Sequence, residues 1–227
     1  MDISPRAEFN LGDRKPLAME LAPLLEREII TRRLKPGARL MELDLCARFH
    51  VSRSPMREAL RLLEASLLVT RKPRYGVRVT PMTLERLDHI YACRVPLEAL
   101  AAAGIASAPR RESVVAALSA CIERMKAAAA ADDAEGCFFA NADLTDILHE
   151  QCQNPVLTSL LAQVNKAALR YRHWAYCEAP SVIALSIGAN QDMVEAIRGG
   201  KPKRAESITR GLVLESWSRT RRAFGGA

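Results

Sequence analysis

The sequence lacks the local patterns that mark the common catalytic sites. It has no nucleophile elbow, no glycine-rich loop that could cradle phosphates, and no motif that would hold a metal-bound water. We therefore predict that the protein is not an enzyme and needs no cofactor.

The six cysteines also lack a recognisable pattern. No two of them form a Cys-x-x-Cys pair, and most lie within helical apolar patterns. Because neither a loop-rich composition nor paired Cys and His ligands accompany them, we favour reduced core cysteines over a disulfide framework or a structural zinc site.

Targeting and membrane segments are missing from the pattern as well. The first residues include Asp2 and Glu8 and contain no apolar h-region, and no apolar run reaches the length of a transmembrane helix. We expect a cytoplasmic protein of bacterial type with no membrane partner.

The charge is distributed unevenly along the chain. The formal net charge is +7, and the hydrophobic content of 49% is sufficient for a core. Residues 17–80 hold thirteen Lys and Arg against seven Asp and Glu, whereas residues 81–227 hold seventeen against sixteen. The excess of positive charge in the first segment indicates a nucleic-acid partner.

A helix-turn-helix pattern occupies residues 42–64. A short helix and a tight turn precede a second helix, whose first turn carries Arg53 and Arg57. The spacing predicts inward-facing apolar residues in both helices, namely Leu43, Leu45, Ala47, Phe49, Ala59, Leu60, Leu62 and Leu63. An earlier helix is predicted to begin at Leu17 and to run until Lys35-Pro36-Gly37, with inward residues Leu21, Leu24, Leu25, Ile29 and Ile30.

The remaining pattern predicts a mainly α fold. Residues 67–80 alternate in the manner of a β-hairpin, or wing, which completes a winged helix-turn-helix. An all-α bundle of about six helices is predicted to follow it. The helices are expected at about 83–107, 110–130, 132–152, 154–178, 180–199 and 201–222. We divide the chain into a flexible arm (1–15), a DNA-binding domain (16–80), a linker (81–83) and an all-helical domain (84–227), to which the resemblance described next assigns effector binding and dimerisation.

Several phrases of the sequence resemble a known family. LKPG at 34–37, VSRSPMREALRLLE at 51–64 and YACRVPLEALAA at 91–102 resemble the GntR family of bacterial transcription regulators. The helical half is similar to the FadR-type (FCD) effector domain. The resemblance implies a homodimer, usually a repressor, that binds a pseudo-palindromic operator in double-stranded DNA and responds to a small metabolite, commonly a carboxylate.

The same resemblance implies DNA contacts at the start of the second helix and at the wing tip. Ser52, Arg53, Ser54 and Arg57 match the recognition-helix contacts, and Tyr75-Gly76 matches the wing tip. The helix position suits these roles, because arginines bind guanine edges and hydroxyls near a helix N-terminus bind phosphate. Further phosphate candidates are Arg39, Arg48, Arg61 and Arg74. The alternative is a solvated face whose arginines pair with Glu58 and Glu64.

The sequence departs from the family pattern at three places in this half. His50 and Leu67 stand where glycine is usual, so two helix ends lack the residue that best tolerates a left-handed conformation. Leu43 stands where many relatives carry an arginine that touches DNA.

The effector half departs more strongly. FCD domains usually bind a divalent metal through an Asp-x-x-x-His pair and two later histidines, and these positions match Asn141, Thr145, Asn190 and Leu212. Because such side chains bind transition metals poorly, we predict no metal in this site. The alternative is a rebuilt site that uses Asp146, His149 and His173.

Without a metal, an anionic effector must be held by side chains. Arg94 matches the arginine of the family's Tyr-x-x-Arg phrase, and its alternative role is an ion pair with Glu98. The other candidates are Asn141, Thr145, Asn190, His149 and Arg172. Residues 170–174 mix cations and aromatics, and we favour an outward basic face with inward aromatic rings over an effector-pocket wall.

The patterns predict a DNA-binding protein with a second, helical domain, and the resemblance implies a repressor that responds to a small metabolite. Effector binding would shift the linker at 79–83 and change the orientation of the DNA readers. The alternative is a DNA-binding protein whose helical domain serves only dimerisation and binds no effector.

Overall fold

The computed structural model describes residues 16–72, 75–109 and 111–226. The flexible arm expected at 1–15 lies outside these residues. In the first part of the chain the elements are α1 (Leu17–Ile30), β1 (Arg39–Leu40), α2 (Glu42–Phe49), α3 (Arg53–Ala65), β2 (Val69–Lys72) and β3 (Gly76–Val79). The predicted winged helix-turn-helix is thus confirmed.

The wing has one strand more than the sequence predicted. The three strands are antiparallel in the order β1-β3-β2, with Leu40 opposite Val77 and Val69 opposite Val79. The strand β1 was missed because two residues are too short to show an alternating pattern. It joins the segment before the helix-turn-helix to the wing.

The core of this part contains most of the expected residues. Leu25, Ile29, Leu60 and Leu63 are buried with Met56 in one cluster. The inward prediction was wrong for Leu24, Leu43 and Ala47, which are exposed. In α2 the buried stripe follows Leu45 and Phe49, four residues apart, so positions two residues away lie on the opposite side.

Residues other than glycine end the helices in a left-handed conformation. Arg32 (φ 61°) turns the chain away after α1, so this helix ends before the predicted stop at Lys35-Pro36-Gly37. His50 (φ 53°) follows α2 and Leu67 (φ 59°) follows α3. At both positions where the family pattern has glycine, a residue with a side chain therefore adopts the left-handed conformation, which is costlier for it than for glycine.

The second part of the chain confirms the six predicted helices. They are α4 (Leu84–Ser107), α5 (Glu112–Ala130), α6 (Ala134–Glu150), α7 (Pro155–Glu178), α8 (Ser181–Arg198) and α9 (Pro202–Gly225). Thr83 caps α4, because its side chain accepts a hydrogen bond from the Arg86 amide. The helix α4 packs against α7 and α9, and α7 also contacts α1 and α6.

Among the described residues, one helix has the length and composition of a membrane span. It is α4, with a mean hydropathy of 1.2 over its most apolar window, which corrects the expectation that no run is long enough. Because 56% of that window is buried inside the fold, α4 has the character of a core helix, and this is weak evidence for a membrane segment.

The first helix packs onto the helical part. Ile30 is buried in a cluster with Phe138 and Trp174, and the Lys166 ammonium lies 3.0 Å from a Glu26 carboxylate oxygen. The Arg27 guanidinium lies 5.0 Å from the centre of the Phe139 ring. Through these contacts α1 rests on α6 and α7.

The strained position after α3 allows a test. Leu67→Gly is expected to be more stable than Leu67→Ala by about 1 kcal/mol, because both variants lose the half-exposed side chain but glycine adopts a positive φ at lower cost. Thermal unfolding should show a difference of about 2–4 °C for a chain of this size. Equal melting temperatures would mean that the turn imposes no strain.

Candidate nucleic-acid interface and effector cavity

The start of α3 offers groups that can bind an anion. Ser52 is the N-cap with an extended backbone (φ −74°, ψ 168°), and its side chain makes no capping hydrogen bond. Ser52, Arg53 and Ser54 are all exposed. The hydroxyls therefore lie beside the unpaired amides and the positive end of the helix dipole, an arrangement that suits a phosphate oxygen.

Glu42 orients two of the cationic side chains near this surface. The Arg57 Nε atom donates to Glu42 Oε2 at 2.8 Å, and Arg71 of β2 reaches the other oxygen at 3.5 Å. The hydrogen bond from Arg57 lowers the pKa of Glu42 below its usual value. The alternative partners of the sequence analysis were wrong for Arg57, which pairs with α2 instead. Because the pair is exposed, it contributes orientation more than stability.

Arg53 differs from the other two arginines of α3, Arg57 and Arg61. It forms no ion pair within the part of the chain that the structure describes. Arg48 pairs with Glu28, and Arg61 pairs with Glu58 at 3.0 Å. Among the three arginines of α3, Arg53 therefore has the guanidinium that is held by no carboxylate of the described residues.

The wing tip and the neighbouring strand complete this surface. Tyr75 is 66% exposed, and Gly76 has φ 78°, a conformation that favours glycine. The Arg39 side chain lies beside Gly76, where a Cβ atom would stand 3.8 Å from Arg39 Nε. Arg74 lies outside the described residues.

A cavity of about 40 Å³ lies between α4, α6, α7, α8 and α9. The four positions that match the FCD metal ligands all line it, although they are far apart in the sequence: Asn141, Thr145, Asn190 and Leu212. The two candidate arginines, Arg94 and Arg172, line the same cavity.

The Arg172 guanidinium is bonded to two of these positions. Its Nη2 donates to the side-chain oxygens of Asn141 and Thr145, the latter at 2.8 Å, and its Nη1 donates to Asn165 Oδ1 at 2.9 Å. Only 4% of Arg172 is exposed, and burial lowers its pKa. A buried cation is thus held by neutral oxygens.

The predicted outward basic face of residues 170–174 was wrong. Arg170, Tyr171, Arg172, His173 and Trp174 are all buried. The reason is the position of α7, which packs against α1, α4, α6 and α9 and has no solvent-facing side in this turn. The helical periodicity of charged residues cannot reveal that a helix is surrounded by other helices on all sides.

Arg94 forms the ion pair with Glu98 that the sequence allowed, and it also lines the cavity. Its Nε donates to Glu98 Oε1 at 2.7 Å, and the two side chains are buried while lining the cavity. Burial alone would raise the pKa of Glu98, but the Arg94 charge lowers it, so the carboxyl group is ionised. The Arg94 guanidinium also lies 4.5 Å from the centre of the Tyr91 ring.

The residues of the alternative metal site do not come together. The His149 Nε2 atom lies 3.9 Å from Glu98 Oε1, behind the cavity wall. Asp146 accepts a hydrogen bond from Asn165, and His173 lies 3.9 Å from Glu135. Residues 16–72, 75–109 and 111–226 contain no group of three or more His, Cys, Asp or Glu that could hold a metal ion.

Several cavity atoms were missed by the sequence reasoning. Asn165 supports Arg172, and Thr209 lines the cavity from α9. Four buried polar atoms of the lining, Arg94 Nη1, Tyr176 Oη, Asn190 Nδ2 and Thr209 Oγ1, have no hydrogen-bond partner among the described residues. One sequence signal could have found these residues: a polar residue on a helix face that is otherwise apolar, with apolar residues one turn before and after it, indicates a buried polar group.

The turn of α7 that carries Arg172 also contacts the segment before α4. Arg170 Nη1 donates to the Thr80 carbonyl oxygen. The Tyr171 hydroxyl accepts from the Thr83 amide at 2.9 Å and donates to the Thr83 carbonyl oxygen at 3.0 Å. Burial lowers the pKa of Arg170 to about 10. Three consecutive residues thus contact the linker and the cavity.

Comparisons with known proteins identify two segments. Residues 17–79 match the model described as bacterial regulatory proteins, gntR family, and residues 89–214 match the FCD domain. The HTH-type transcriptional regulator YdhC of Bacillus subtilis is 40% identical over 41% of this chain and 42% of its own length. The gluconate operon transcriptional repressor of Bacillus licheniformis is 34% identical over 54% of this chain and 49% of its own length.

The chain therefore spans about half the length, or less, of these curated relatives. Among solved structures, the match to E. coli McbR/YncC covers 93% of this chain and 100% of the McbR/YncC chain, with a TM-score of 0.79 and 20% sequence identity. A candidate GntR transcriptional regulator from Rhodococcus sp. RHA1 covers 92% and 98%, with a TM-score of 0.73 and 23% identity. These structural likenesses show the fold.

The buried position of His149 predicts its titration. Burial lowers its pKa from 6.5 to about 4, so the unfolded chain binds the extra proton first and stability falls as the pH drops from about 6.5 towards 4. NMR titration of the ring, with His149→Gln to identify its signals, should show no change between pH 8 and 5.5. A His149 signal with a midpoint near pH 6.5 would contradict the buried position.

Proposed function

Because the chain belongs to the GntR family of bacterial regulatory proteins and carries an FCD domain, we propose that it is a transcriptional repressor controlled by a small carboxylate. Regulators of this family bind DNA. The repressor role is supported by the gluconate operon repressors of two Bacillus species, each 34% identical in the matched region. Enzymatic activity is not part of the proposal, since the relatives are named as regulators.

The proposed division of labour follows the two matched segments. Residues 16–80 bind DNA, residues 81–83 link the domains, and residues 84–227 bind the effector and form a homodimer in the cytoplasm. A homodimer with two-fold symmetry presents two α3 helices to a pseudo-palindromic operator. Ser52, Arg53, Ser54 and Arg57 contact it from α3, and the wing contributes Tyr75 and Gly76.

Arg53 is the proposed reader of base edges on this surface. Its side chain is exposed and forms no ion pair within the described residues, so its guanidinium can donate two parallel hydrogen bonds to a guanine. Arg57 is oriented by Glu42 and can meet a base or a phosphate on the same helix face, four residues along. Arg39, Arg48 and Arg61 supply phosphate contacts.

One observation supports control by an effector most directly. A single turn of α7 holds Arg172 at the cavity and Arg170 and Tyr171 at the linker. A ligand that accepts hydrogen bonds from Arg172 changes the forces on this turn of α7. Because the same turn contacts the linker, the change acts on the linker directly. The linker then favours one orientation of the DNA-binding domains, provided that the ligand binds the two arrangements with different affinity.

The second candidate is a helical domain that serves dimerisation alone. The small cavity and the replaced metal ligands favour it. The four buried polar atoms without protein partners among the described residues count against it, because a domain that binds nothing gains no advantage from leaving such atoms unpaired.

The DNA-binding role predicts a specific loss in Arg53→Ala. Removing the guanidinium should weaken operator binding by roughly 5- to 150-fold and reduce the preference for operator over random DNA. Fluorescence anisotropy with labelled duplexes measures both. Arg124→Ala is the matched control, because it removes an exposed arginine of α5 that pairs with Asp143. Equal operator affinity in the two variants would reject Arg53 as a DNA contact.

The coupling through α7 predicts a different result for Tyr171→Phe. The ring and its packing remain, but the Thr83 amide and carbonyl lose their partner. The variant should fold and bind the operator, while the change in operator affinity on adding a mixture of small carboxylates should shrink several-fold. The urea midpoint checks folding, and an unchanged response would show that the linker is controlled by another route.

A further inference from the structure

The cavity does not fit the divalent metal of related FCD domains. The matching positions supply two amides, one hydroxyl and the hydrocarbon side chain of Leu212, and no imidazole or carboxylate. Transition metals bind such a set poorly. Moreover, the oxygens of Asn141 and Thr145 already accept hydrogen bonds from Arg172. A metal ion at these oxygens would face a guanidinium at close range.

The charges around the cavity do not balance. Arg94 and Glu98 neutralise each other at 2.7 Å. Arg172 lies within salt-bridge distance of no carboxylate in the described ranges, and all three of its bonded residues are neutral. Asp146 lies outside the lining and contacts Arg172 only through Asn165; burial raises the pKa of this carboxyl group, although the Arg172 charge lowers it. The lining therefore retains one uncompensated positive charge.

The unpaired polar atoms have the matching chemistry. Arg94 Nη1 and Asn190 Nδ2 are donors, and the hydroxyls of Thr209 and Tyr176 can donate. A ligand that satisfies these atoms must carry acceptor oxygens. The volume of about 40 Å³ accommodates only a few water-sized groups, since one such group needs about 10–15 Å³.

We propose that the Arg172 guanidinium takes the place of the metal ion and that the cavity binds a small monocarboxylate. The carboxylate pairs with Arg172, and its remaining oxygens accept from Arg94, Asn190 or Thr209. The single uncompensated charge selects a monoanion over a dicarboxylate, because a second buried negative charge would have no partner. This inference rests on the proposed effector role of the helical domain.

Thermal unfolding of the full chain tests the ligand class. The probes are acetate, pyruvate and lactate, with malonate and succinate as dianions, lactamide as a neutral analogue, and Mn²⁺ and Zn²⁺ with and without EDTA, all at equal ionic strength. At about 100 times its dissociation constant, a monocarboxylate should raise the melting temperature by on the order of 5 °C. Dianions, lactamide and metals should leave it unchanged.

Two variants test the role of Arg172. Arg172→Met removes the cation and should abolish the response to monocarboxylates, whereas Arg172→Lys retains the charge without the planar fork and should keep a weaker response. The pair remains informative if Arg172→Met does not fold. Two outcomes would overturn the role of Arg172 or of the ligand class: a full response to monocarboxylates in either folded variant, or a larger shift of the melting temperature with dianions. The proposal would also be overturned by a shift with a metal ion that EDTA removes, or by no shift with any of the salts.

A parallel operator-binding measurement separates this inference from the proposed function. If a dicarboxylate or a metal binds and changes operator affinity, the regulatory function stands and the monocarboxylate assignment fails. If a monocarboxylate binds through Arg172 and operator affinity does not change, the assignment stands and the proposed control of DNA binding fails.

Discussion

A buried guanidinium needs acceptors around it, and this requirement shapes the helical half of the molecule. Arg172 obtains its acceptors from Asn141 and Thr145 of α6 and from Asn165 of its own helix. These neutral groups satisfy its hydrogens without cancelling its charge. The hydrogen bonds offset part of the cost of burying the guanidinium, and its positive charge remains available to an anion. An arginine that is already paired with a carboxylate would attract an anion far less.

The same helix connects this charge to the DNA-binding half. Arg170 and Tyr171 precede Arg172 directly and bind the backbone at Thr80 and Thr83, while α1 rests on the outer side of α7. Secondary structure transmits small displacements because its backbone hydrogen bonds keep neighbouring residues in fixed relative positions. The proposed route from the cavity to the linker is therefore one helical turn long and needs no long chain of intermediate contacts.

The parts of this structure that follow from local pattern could be predicted from the sequence. Helix periodicity predicted the helices of the second half to within a few residues, and the absence of glycine marked His50 and Leu67 as unusual helix ends. Properties set by distant partners could not be predicted. The pairing of Arg57 with Glu42 depends on the angle between α2 and α3, and the burial of residues 170–174 depends on the helices that surround α7. The sequence predicted several of the positions that surround the cavity, but it did not predict the charge balance of the lining, because that balance depends on which oxygens contact Arg172.

The amide of Thr83 reports most directly on the central claim, because it donates to the Tyr171 hydroxyl at 2.9 Å. We would measure its hydrogen exchange rate in the intact protein and in Arg172→Lys, which alters the cavity end of the turn only. If α7 links cavity and linker, the rate should differ by roughly 5-fold or more, the lower end of typical coupling. Equal rates in two folded proteins would contradict the link.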